Sequence, residues 1–201
     1  MRKFKGVMLL PLDSQSYRRH VAHHTFVARV NAAETMPDYR TALTQAIENR
    51  VREQLHGVLT PTRYRVLRWE ETGPTNRSTV RYRELDGVYK TPSGATVLLE
   101  VKASASKGSL SSGVRQLRAA VDTLAVALPL TCGLLVVADL GAFVEGFGGA
   151  AATPVIDYLI GTNIEALSWP PESLAPSAKG LFASVIPQEA AAVWLAEAGA
   201  L

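Results

Sequence analysis

Hydrophobic positions along this chain follow three rhythms. Between residues 43 and 55 they recur every four residues, at Leu43, Ile47, Val51 and Leu55. Side chains four apart share one face of an α-helix, so the spacing predicts an amphipathic helix. Asp38 after Pro37 is placed to cap its start, and Gly57 to stop it. Val114, Leu117, Val121, Leu124 and Leu128 predict a second helix over 113–128, and the alanine-rich stretch 188–198 a third. Between residues 63 and 102 the pattern shortens to strands, at 63–70, 78–89 and 96–102. Gly73-Pro74-Thr75-Asn76 and Thr91-Pro92-Ser93-Gly94 supply the turns between them. Cys132 to Ala138 is apolar throughout, as in a strand covered on both faces.

Weaker patterns predict short strands at 4–12 and 25–31, a short helix at 154–161 and a strand at 164–169 ended by Pro170-Pro171. A loop rich in Ser, Gly and Lys spans 103–113. The order helix, strand, strand, strand, helix, strand implies an α/β fold: a mixed sheet with helices on its faces. No internal repeat is visible.

Composition fits one domain. The chain has 201 residues, 47% of them apolar, enough for a substantial core. The single cysteine, Cys132, excludes an intrachain disulfide and a cysteine zinc site. The apolar stretch after the basic N-terminus stops at Pro11, and the window 124–137 is broken by Pro129. Neither has the length of a signal core or a membrane span, so a cytoplasmic protein with no membrane partner is expected.

Charge sharpens the picture. The first 118 residues hold 20 of the 21 lysines and arginines but 10 of the 18 acids. A basic portion of this kind suits phosphate backbones, because each contact releases counter-ions. An acidic, apolar C-terminal portion is left as a possible surface for a second copy or a partner protein.

The chemistry concentrates between Glu84 and Lys102. Glu100 and Lys102 stand two apart on a predicted strand, so they share a face. The turn at 91–94 folds Asp86 back towards them. Two carboxylates and an ammonium at one spot fit a hard-cation site aimed at a phosphodiester. Asp86 and Glu100 would give carboxylate oxygens and Val101 its carbonyl. Lys102, beside two carboxylates, is favoured as an oriented cation over a general base.

Leu85-Asp86-Gly87-Val88, then Leu98-Leu99-Glu100-Val101-Lys102 with a helix on either side, resembles the PD-(D/E)XK nuclease superfamily. The resemblance covers 38–140, between an N-terminal extension (1–37) and a C-terminal strand and helix elaboration of the same domain (141–201). It implies an αβββαβ restriction-endonuclease-like core holding Mg²⁺, with Mn²⁺ as a substitute, and DNA as the substrate, RNA remaining open. The family's aspartate falls on Asp86, its second acid on Glu100 and its lysine on Lys102.

A glutamate on the first core helix, which many members carry, falls on Glu48. At 100° per residue from Leu43, Glu48 lies near ~140°, on the shoulder of the apolar stripe. Its competitor Glu53 lies near ~280° and faces water. A helix glutamine found in some members falls on Gln116, although the tyrosine that accompanies it is replaced by Ala120. Leu85 stands where the family has its proline.

Lys107, Arg115 and Arg118 are expected to face the cleft and contact phosphates, and Ser109-Ser111-Ser112-Gly113 to form a flexible loop before a helix. His20, His23 and His24 make a poor zinc signature without cysteines and are assigned to a solvated or nucleic-acid-facing extension. The function implied is a metal-dependent nuclease, in restriction, repair, mobile-element or defence work. The alternative is a catalytically silent module of the same fold that binds nucleic acid or serves in an assembly.

Overall fold

The computed structural model describes residues 4–29, 39–73, 77–140, 158–159, 161–174 and 178–197. Among these, four helices and nine strands make a mixed α/β fold. In chain order they are β1 (Phe4–Pro11), α1 (Gln15–Arg29), α2 (Tyr39–Leu55), β2 (Thr60–Pro61), β3 (Tyr64–Thr72), β4 (Ser78–Glu84) and β5 (Gly87–Lys90). There follow β6 (Thr96–Lys102), α3 (Lys107–Leu124), β7 (Thr131–Val137), β8 (Glu165–Leu167), β9 (Leu181–Val185) and α4 (Gln188–Glu197).

The larger sheet has six strands in the order β2-β5-β6-β7-β9-β8. Its β2, β5 and β6 are antiparallel neighbours, whereas β6, β7, β9 and β8 run parallel. Two apolar layers sandwich it, and the period-two alternation of a strand sorts side chains between them. Val97, Leu99 and Val101 of β6 pack on one face with the α2 stripe Leu43, Ile47, Val51 and Leu55 and with Leu195 of α4. Leu98 of β6 and Leu135 and Val137 of β7 pack on the other with Leu110, Leu117, Val121 and Leu124 of α3. Every residue of β7 is buried, as its unbroken apolar run predicts for a strand covered on both faces. Trp169 and Trp194 meet edge to face at 6.3 Å against the α2 layer. No helix among the described residues is long and apolar enough to cross a membrane.

The smaller sheet is antiparallel, in the order β1-β3-β4. Its Leu67 joins the α3 layer, with Val7, Leu9 and Trp69 packed around it. Residues 4–11 are therefore woven into the fold through β3.

Several elements differ from the sequence reading. The expected strand over 78–89 is two strands in two sheets. The Leu85 amide still bonds the Arg65 carbonyl, at 2.8 Å, as a continuation of β4 along β3. Gly87 then pairs with Leu99 of β6. Asp86 sits at the crossing. A Cβ at Gly87 would lie 2.7 Å from Tyr89 Cε2 and 3.1 Å from Leu99 Cδ2, so the crossing requires glycine.

Residues 25–29, expected as strand, continue α1, whose Tyr17 and His20 rings lie 5.9 and 4.6 Å from Tyr82 of β4. Thr25 and Val27 favour strands only weakly, and the helix begun at Gln15 overrides them. The second predicted helix starts at Lys107 rather than Gly113, because Ser106 caps it by accepting from the Ser109 amide at 3.3 Å. Ser109 to Gly113 are thus helix interior, not a flexible loop. The helix ends at Leu124, ahead of the 125–127 turn and Pro129.

β2 and β9 were not anticipated. The predicted cap Asp38 and the centre of the 73–76 turn lie outside the described residues, as does most of the helix expected at 154–161, of which 158 and 159 are helical.

Candidate active site

The end of β6 is where the sheet opens. β5 pairs with β6 only from Gly87↔Leu99 to Lys90↔Thr96, so Val101 has no strand beside it on that edge. The Asp86 side chain takes the vacant place: its Oδ2 accepts from the Val101 amide at 2.6 Å. Within a strand, a residue's N–H and C=O point to the same side. The Val101 carbonyl therefore faces the same gap.

An open pocket of about 300 Å³ occupies this gap, lined by Thr44, Glu48, Asp86, Glu100, Val101, Lys102, Ala103, Ser104 and Ser109. A hollow of about 240 Å³ adjoins it along α2, lined by Thr41, Thr44, Gln45 and Glu48. Glu48 belongs to both and its side chain is 18% exposed. Glu53 is 59% exposed and pairs with Arg50 at 3.0 Å, outside either hollow.

Glu100 and Lys102 point to the α3 side of the sheet. Lys102 Nζ donates to Glu100 Oε1 at 2.6 Å and to Gln116 Oε1 at 3.1 Å. Gly113 makes the approach possible: a Cβ there would lie 3.1 Å from Lys102 Cγ and Cε and 3.0 Å from Leu135 Cδ1. Glu84, next to the motif, turns away to Tyr17 Oη at 3.1 Å and Arg65 at 3.4 Å.

Two arginines that sequence reasoning passed over complete the site. Arg83 of β4 donates from Nη2 to Glu100 Oε2 at 2.9 Å and from Nη1 to the Gln116 carbonyl at 2.5 Å. Arg52 of α2 lies 3.5 Å from Glu48 Oε2 and donates to the Asp86 carbonyl at 2.8 Å. The Glu48–Arg52 spacing of four residues was a legible helix pair. Nothing local distinguishes Arg83 from Arg81 or Arg65.

Burial pushes the Asp86 carboxyl up from 3.8 to about 6. The bond from the Val101 amide opposes the shift, the charges of Glu100 and Glu48 add to it, and Lys102 opposes it.

The expected phosphate contacts stand elsewhere. Lys107, Arg115 and Arg118 are exposed, and none lines the pocket. At 100° per residue, Lys107 and Arg118 project from the flank of α3 opposite Gln116, about 160–180° away. Ser109 does line the pocket, but its amide is used by the Ser106 cap, so the region offers no loose backbone cradle. His20 packs on Tyr82 in α1, far along the chain from these carboxylates.

A divalent cation can be tested against this donor set. The oxygens of Asp86, Glu48 and Glu100 and the Val101 carbonyl are hard ligands without thiolate or imidazole, which suits Mg²⁺ or Mn²⁺ rather than zinc. As they stand, no three acidic, histidine or cysteine side chains among the described residues are clustered closely enough to hold an ion. The chemistry of the donors fits the ion. Glu48 and Glu100 have cationic partners. No family model, no curated protein and no solved structure matches the chain.

Proposed function

We propose that this protein is a divalent-metal-dependent nuclease of the PD-(D/E)XK type, hydrolysing phosphodiester bonds in DNA. One observation carries the reading: Glu48, Asp86, Glu100 and Lys102, drawn from three separate stretches of chain, line one pocket at the open end of β6. A chance acid and lysine pair on a strand would bring no second and third carboxylate with it.

Asp86, Glu100, the Val101 carbonyl and Glu48 would hold the cation. When bound, the cation supplies Lewis acidity and a more acidic water. Asp86 uses one oxygen on the Val101 amide, which fixes the carboxyl and leaves the other oxygen for a ligand. Lys102 has three N–H donors, of which Glu100 and Gln116 take two. The third can orient the attacking water or meet the charge that develops on the phosphorus oxygens. Gln116 acts through Lys102 and aims it. Thr44, Ser104 and Ser109 add hydroxyls to the pocket wall that suit phosphate and sugar oxygens.

A second reading, a catalytically silent nucleic-acid-binding module, draws on the ion pairs of Glu100, whose two oxygens are both taken by cations. One assay separates the two. Supercoiled plasmid, linear duplex, single strands and RNA are incubated with Mg²⁺, Mn²⁺ or EDTA. Cutting by wild type that EDTA stops, and that Asp86→Ala and Lys102→Ala reduce about a hundredfold or more, supports the nuclease. Duplex binding without cutting in either metal favours the silent module. Cutting that survives in Asp86→Ala would place any activity outside this pocket.

A further inference from the structure

Arg83 lies on β4, outside the acid and lysine motif, yet its side chain bonds Glu100 within the site. Its guanidinium spans from Glu100 Oε2, at 2.9 Å, to the Gln116 carbonyl on α3, at 2.5 Å. The Glu100 side chain is only 7% exposed and that of Arg83 23%. Lys102 already occupies the other Glu100 oxygen, at 2.6 Å. Glu100 thus faces a cation on each of its two oxygens.

The wider pocket repeats the balance. Three carboxylates, Glu48, Asp86 and Glu100, stand against three cations, Arg52, Lys102 and Arg83. Lys102 can swing on a flexible stem. Arg83 is pinned at both ends and cannot give up its proton. A divalent cation at Glu100 must meet that fixed charge at close range.

We propose that Arg83 is a positioning residue that holds Glu100 as a counter-ion in the metal-free protein and competes with a divalent cation for it, so that Arg83 sets how tightly the site binds metal. The inference rests on the metal site proposed above. It adds that metal affinity is held down by a residue of the neighbouring sheet. Any movement of β4 relative to α3 would then change that affinity.

Mn²⁺ affinity measured by isothermal titration on the full chain tests this without any cutting assay. Arg83→Gln keeps a donor for the Gln116 carbonyl and removes the charge. It is expected to bind Mn²⁺ about tenfold more tightly than wild type, the scale on which residues behind a metal ligand act. Its melting temperature without metal is expected to fall, and its rise on adding Mn²⁺ to exceed that of wild type. Arg83→Lys keeps the charge but cannot span both acceptors, so its affinity is expected to lie between the two; it also serves if the glutamine variant does not fold. Wild-type or weaker Mn²⁺ binding in both variants overturns the role of Arg83 while leaving the metal site standing. Absence of Mn²⁺ binding in wild type and both variants overturns the metal site and this inference together.

Discussion

Asp86 carries opposing demands. Burial at the crossing between the two sheets favours its neutral form, while the Val101 amide bonded to Oδ2 favours the carboxylate. Burial is the larger effect, and the pKa stands near 6 against 3.8 for a free side chain. A carboxyl raised in this way stabilises the fold while it is protonated. Its contribution is complete below the unfolded value and disappears as pH rises through the folded one. The difference corresponds to about 3 kcal/mol. In EDTA, wild type is expected to lose stability to urea between about pH 4 and pH 6.5, with Asp86→Asn losing much less over the same range. Parallel curves for the two proteins would rule out Asp86 as the source. At the proposed metal site protons and cation would compete for the same oxygens, so added Mn²⁺ should restore stability more at pH 7 than at pH 5.5. The motif acids were legible because strand alternation and a four-residue turn are local rules. Arg83 was not, because its partner Glu100 is 17 residues away, across two sheets.

At the scale of elements, α3 decides where Lys102 goes. Ser106 fixes where the helix begins, and Gly113 lets it lie against the Lys102 stem. The two residues predict different failures. Ser106→Ala removes a cap and should cost about 1 kcal/mol in urea unfolding, with little effect on the proposed nuclease activity per folded molecule. Gly113→Val places a branched side chain where even a single Cβ is crowded by Lys102 and Leu135. It is expected to displace Lys102 from Gln116 and lower the proposed nuclease activity about tenfold or more, even where the variant remains folded by circular dichroism. Equal activity in the two variants would mean that Lys102 does not need its present path.

The same elements show what the sequence reading could reach. The α2 stripe and the unbroken β7 run follow from periodicity, which each segment carries in itself. The division of 78–89 into β4 and β5 does not, because it is fixed by the partners of Leu85 and Gly87, which belong to different sheets. β9 is five residues long and is recognised by its place beside β7.

Across the whole molecule, β7 is the position from which everything else is measured. It lies between β6 and β9, with α2 and α4 over one face and α3 over the other. Cys132, the only cysteine, is on it and fully buried, with its thiol pushed up to about 11 by burial. The Cys132 thiolate is the nucleophile that attacks an aromatic disulfide and expels its aromatic thiolate, so Cys132 can react only when β7 is exposed to solvent. No edge of the sheet offers a partial route, because β6 and β9 must separate from β7 first. Labelling with an aromatic disulfide in native buffer is therefore expected to follow global opening, with a free energy matching that from urea unfolding. Leu134→Ala, next but one on the same face, removes a buried side chain and should cost roughly 2–5 kcal/mol. Labelling should quicken by the factor that cost implies. Rapid labelling of wild type, or labelling unmoved by Leu134→Ala, would mean that β7 opens locally. The strand supporting Glu100 and Lys102 would then be far less rigid than its packing implies.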